Sequence, residues 1–157
     1  LERKLLRLAV DGDLMAFDPE AIRQALADQL EEALSEVNVY WYEPTSPVLP
    51  AVYLRPAPEN YIDYFATGGR DGNGDISIQI VVEVGGLDAE HLASELNTFL
   101  RAGSGFENSI PDAVMSNRTL GGVVQDCVVL RADVDDEIAG KAVLHAQVIA
   151  KKQGANV

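Results

Sequence analysis

The chain has 157 residues, nearly half of them hydrophobic (47%), enough for one compact domain with a real core and too apolar for wholesale disorder. Its 25 acidic residues outweigh 12 basic ones for a net charge of -13, and no basic stripe stands out. That balance excludes a nucleic-acid reader, which needs Lys and Arg to displace phosphate counterions. No apolar run approaches the roughly 20 residues needed to span a bilayer.

Residues 1–14 read as an N-terminal arm. Leu1, Leu5 and Leu8 alternate with Arg3, Lys4 and Arg7, and the charges break up any signal-peptide core. Two to three turns are marginal as an isolated helix, so the arm must dock somewhere or fray. Asp11-Gly12-Asp13 ends it, and Met15 is an alternative start just before the patterned region, residues 15–157.

The first helix is predicted from Pro19 to about Val37. Asp18 is its N-cap, Pro19 sits at N1, and Phe17 can staple onto Ile22. Ile22, Ala25, Leu26, Leu30, Ala33, Leu34 and Val37 form an apolar stripe, with Glu31, Glu32 and Glu36 on the acidic opposite face. Val39 to Tyr42 reads as an aromatic strand, residues 43–50 as a stiff proline-rich connection, and Ala51 to Arg55 as a second strand. Tyr61 to Phe65 is a third strand. Ile76 to Val84 alternates clearly, which buries one face. Between these two, Thr67 to Gly74 reads as a glycine-rich hairpin loop.

A second helix starts at Asp88, with Leu87 and Leu92 as a staple pair and Leu92, Leu96, Phe99 and Leu100 pointing inward; Gly103 ends it. Ser109 to Ser116 is a short helical turn. Gly121 to about Val134 is expected as one long strand, followed by an acidic turn of Asp133, Asp135, Asp136 and Glu137. Ala142 to Ala150 is the last strand. Short links between neighbouring strands imply an α+β fold, an antiparallel or mixed sheet with two main helices packed on one face.

Motifs for chemistry are missing. Asp71-Gly72-Asn73-Gly74-Asp75 opens like a calcium loop, but Ile76 stands where glycine is needed and Val82 where the bidentate glutamate belongs. His91 and His145 have no second ligand at metal spacing, and the lone Cys127 sits in an apolar run without a disulfide partner. Gly103-Ser104-Gly105 follows a helix and lacks the strand-turn-helix setting of a nucleophile elbow. No catalytic, metal or cofactor residues are therefore assigned, and an unrecognised acidic pair in a minor hydrolase is the reading this leaves open. Tyr40, Trp41 and Tyr42 could instead form a pocket wall in a small-ligand binding domain. The acidic balance reads either as solubility alone or as a surface that a polyanion passes without sticking.

The ordered segments resemble the tail terminator (tail completion) proteins of long-tailed bacteriophages. The likeness runs through the first helix, VYWYEPTSPVLPAVYLRP at 39–56, IDYF, the glycine-rich hairpin, DISIQIVVEV at 75–84, and SIPDAVMSNRTLGGVVQDCVV at 109–129. It covers most of residues 17–150 and is one of pattern. The resemblance implies helices on an antiparallel sheet, synthesis in the host cytoplasm, and a place in the virion at the head-proximal end of the tail. There a ring, usually hexameric, ends tube polymerisation and meets the head connector, while DNA passes through without specific binding. Its partners would be further copies of the chain, the tail tube protein and the connector or stopper; a head-closure role is the nearest alternative.

A ring requires head-to-tail contacts that close by rotation. Three segments are candidates: the hairpin tip with Thr67, Arg70, Asp71 and Asn73; the last strand, taken as an edge, with Leu144, Ala146 and Val148; and the arm with Leu5 and Leu8. Glu31, Glu32, Glu36, Asp133, Asp135, Asp136 and Glu137 are candidates for an acidic lumen or surface.

Overall fold

The computed structural model describes residues 17–65, 74–135 and 137–150. Helix α1 spans Pro19–Ala33 and starts as its residues dictate: the Asp18 carboxylate accepts the backbone N–H groups of Glu20 (3.1 Å) and Ala21 (3.2 Å), with proline at the first position. It stops four residues short of the expected Val37. The cause is tertiary: Asn108 accepts the Ser35 N–H at 2.8 Å and draws the chain off the helix axis, and Glu36 then takes a left-handed φ of 59°.

Strand β1 covers Asn38–Tyr40 and β2 Ala51–Pro56, so Trp41 and Tyr42 fall outside the sheet. β3 is only Ile62–Asp63, shorter than expected, and β4 runs Gly74–Glu83. Helix α2 (Ala89–Leu100) buries Leu92, Leu96 and Phe99, but Leu87 is fully exposed and the predicted staple does not form. Helix α3 is Ile110–Met115, capped by Ser109. β5 is Asp126–Val134 and β6 Lys141–Ala150. The expected strand start at Gly121 is a turn instead: Leu120, Gly121 and Gly122 all have positive φ (52°, 73° and 92°), which no strand accommodates.

The described strands form a six-stranded sheet in the order β1-β2-β4-β6-β5, with β3 on the β2 side of β4. β1 and β2 pair in parallel and every other pair is antiparallel, giving a mixed sheet in an α+β fold. Ile76, Ile78, Ile80 and Val82 pair with Val148, Ala146, Leu144 and Ala142, and these rows share one buried cluster with Leu26 and Leu30 of α1, Leu96 and Phe99 of α2 and Val114 of α3. Gly140, just before β6, is required: at φ 80° a Cβ would lie 2.7 Å from the Val84 carbonyl.

Candidate functional site

The sheet face away from the helices carries a polar lattice set by strand register. Arg55, Gln79, His145 and Arg131 fall in one cross-strand row, and Tyr53, Val81, Val143 and Asp133 in the next. Arg55 donates to Gln79 (2.7 Å) and lies 3.5 Å from Glu43, while the Tyr53 hydroxyl donates to Glu83 at 2.6 Å. His145 meets Asp133 at 2.8 Å, and Arg131 approaches the same carboxylate at 3.7 Å. Gln147 donates to Asp75 at 3.0 Å. Burial first, and the Glu83 hydrogen bond second, push the Tyr53 phenol above its ordinary value. Most of these groups are matched within the face, though Asp75 Oδ1 is buried without a hydrogen-bond partner, and the middle of the face is closed to solvent, with Tyr53, Gln79 and Val81 2%, 8% and 0% exposed.

The sheet edges are different. β5 carries a bulge between Val129 and Arg131, which throws Leu130 outward (59% exposed). Val134 (59%) and Ile138 (48%) extend the same edge. The turn that presents Ile138 is fixed by Asp135, whose carboxylate accepts the N–H groups of Glu137 (2.8 Å) and Ile138 (2.9 Å) and is held below the usual carboxylate range by them. At the opposite edge the connection after β1 exposes Tyr42, Val48 and Leu49. Val48 is tied to β1, its carbonyl accepting from the Asn38 side chain (2.9 Å) and its N–H donating to the Tyr40 hydroxyl (3.3 Å).

Below the sheet, the loop 102–107 is wound around one carboxylate. Asp112 accepts the N–H groups of Gly103 (2.7 Å) and Phe106 (2.8 Å), which hold its pKa down. This organises Phe106, 39% exposed, with the Arg101 guanidinium 4.7 Å over its ring.

The expected last-strand contacts are overturned. β6 is no edge: it lies between β4 and β5, and Leu144, Ala146 and Val148 are buried at 0%, 2% and 0% exposure. The final strand is inserted into the sheet rather than added to its side, so those residues belong to the core. Glu31, Glu32, Glu36 and Glu137 are exposed, Asp133 lies on the open face, and Asp135 is used in its turn. Thr67, Arg70, Asp71, Asn73, Asp136, Leu5 and Leu8 lie outside the described residues. The Tyr40–Tyr42 wall is largely occupied by its own neighbours. Trp41 and Tyr42 meet edge-on at 5.4 Å, and Arg23 lies 5.4 Å over the Trp41 ring. His91 is exposed beside Glu95 (3.4 Å), and Cys127 is fully buried with its thiol pushed up to about 12 by burial. Among the described residues no group of three or more His, Cys, Asp and Glu is placed to hold a metal, and no helix is long and apolar enough to cross a membrane.

Sequence reasoning missed Leu130, Val134 and Ile138. Alternation in β5 hinted at Leu130 and Val134, but a bulge and an overhanging strand end have no sequence signature.

Neither a scan against protein-family models nor a search of curated proteins finds a match for this chain.

Proposed function

We propose that this chain is a structural virion subunit that closes with copies of itself into a ring at the head-proximal end of a phage tail tube. The ring ends tube polymerisation and joins the tail to the head connector, and no catalysis is assigned to it. The observation that carries this reading is the pair of unlike apolar sets at opposite edges of one sheet: Tyr42, Val48 and Leu49 beside β1, and Leu130, Val134 and Ile138 beside β5. Two different patches on opposite sides are what a heterologous, ring-closing contact requires, whereas a two-fold dimer needs one self-complementary patch. The acidic balance, with Glu31, Glu32, Glu36 and Glu137 exposed, suits a lumen that lets DNA pass without binding.

Native mass spectrometry with and without tail-tube protein, backed by negative-stain images, tests the reading. Rings of several copies, or discs found only at tube ends with tube length limited, are expected. Discs that ignore tubes and bind the portal-side assembly would assign the head-closure role instead. A monomer that ignores tubes at high concentration sinks the proposal.

A further inference from the structure

The residue that makes the β5 bulge adds nothing to the described core. Val129 pairs with Ala146 and Arg131 with His145, so Leu130 is one residue more than β6 can match. A chain without Leu130 would keep both of those pairs, along with Asp133 on Val143 and Val134 on Ala142, in a regular ladder. Leu130 stands outside the buried cluster and is exposed at the edge. The extra residue leaves backbone groups out of the ladder, a cost with no gain inside the monomer.

At the edge itself the bulge has two effects. It kinks the rim of a nine-residue strand, which would otherwise offer a straight row of free N–H and C=O groups to an added strand. It also presents a leucine on the edge that carries Val134 and Ile138. The carboxylates among these residues are already engaged: Asp133 meets His145 and Arg131, and Asp135 holds its own turn. What remains for a partner is aliphatic.

The opposite edge is barred from strand pairing as well. β1 is three residues long, and Pro47 and Pro50 have no N–H. Val48 uses its N–H on the Tyr40 hydroxyl and its carbonyl on the Asn38 side chain. There too the exposed groups include aliphatic ones, Val48 and Leu49. The two edges of one sheet share a restriction and a chemistry, which suits a second copy and not an extended peptide that adds as a strand.

We propose that the bulge sets how copies meet: Leu130, with Val134 and Ile138, anchors on Val48 and Leu49 of the next copy through side chains alone, and the sheet does not continue between copies. This rests on the self-assembly reading and names the chemistry of its contact.

Deletion of Leu130 tests both halves. Self-association should weaken by about tenfold or more, with a urea midpoint no lower than that of the unaltered chain. A deletion variant that assembles as tightly or more tightly overturns the proposal, because a straightened edge favours a continuous sheet. Leu130→Ala keeps the bulge and shortens only an exposed side chain, so it serves even where the deletion disturbs folding. It should weaken assembly to a similar degree, and full assembly of this variant also overturns the proposal. Mixing a Leu130→Cys chain with a Val48→Cys chain under mild oxidation should give a linked mixed dimer in clear excess over either linked homodimer, since the native Cys127 is buried. An excess of the Leu130→Cys homodimer would set two β5 edges together and refute the contact. Rings formed by every variant discard this inference and leave the ring standing. An unaltered chain that stays monomeric with tube protein present removes both.

Discussion

Three carboxylates hold backbone turns in place, and each does so by accepting hydrogen bonds that its protonated form would lose. Asp112 gathers loop 102–107, Asp135 fixes the turn after β5, and Asp126 takes two bonds from Arg118 at 2.7 and 2.6 Å. All three are held below the ordinary 3.8, Asp126 chiefly by its Arg118 hydrogen bond. Because the folded-state values are depressed, their stabilisation is present above that ordinary value and is lost as pH falls through the lowered ones. Thermal midpoints measured from pH 6 downward should therefore hold until about pH 4 and then fall. Asp112→Asn should shrink that fall, and an unchanged acid profile in the variant would refute the assignment. Cys127 behaves oppositely: burial raises its thiol to about 12, so iodoacetamide at pH 8 should leave the native chain unmodified and label it rapidly in urea. Tyr53→Phe, which strands Glu83 without its 2.6 Å donor, should cost about 1 kcal/mol in urea titration.

At the scale of elements, strand position decides what a side chain does. Leu144 and Leu130 belong to neighbouring strands, yet one is 0% exposed and the other 59%. Leu144→Ala in the middle of the sheet should destabilise by about 2–5 kcal/mol, and Leu130→Ala should stay within about 0.5 kcal/mol by the same urea titration. Comparable losses would mean that the β5 edge is covered within the monomer. The helices show which signals survive into the fold. Asp18-Pro19, Asp88 and Ser109 start helices where the sequence places them, because a cap needs only neighbours two or three residues away. Helix ends are less legible: α1 stops at Ala33 because Asn108, 73 positions from Ser35, reaches its backbone.

For the whole molecule, charge sets the behaviour toward polyanions. With a net charge of -13, and with Arg55, Arg118 and Arg131 each beside a carboxylate, the chain should leave duplex DNA unshifted in gels at about 150 mM salt. A shift that weakens steeply with added salt would expose a cationic surface and count against an acidic passage.

The sequence by itself determined the local facts: the three helix starts, the alternating β4, the lone cysteine in its apolar run, the acidic balance and the α+β class. These follow from periodicity, capping and composition, which act over a few residues or over the whole chain. The tertiary structure alone decided that β6 enters between β4 and β5, that β1 runs parallel to β2, and that Leu130, Val134 and Ile138 are left outside. A strand's alternation states which of its faces is buried, but not which strands lie beside it. That choice is made by contacts between residues far apart in the chain, such as Ile80 against Leu144. With β6 between β4 and β5, the edge falls to β5, and with it the candidate contact surface.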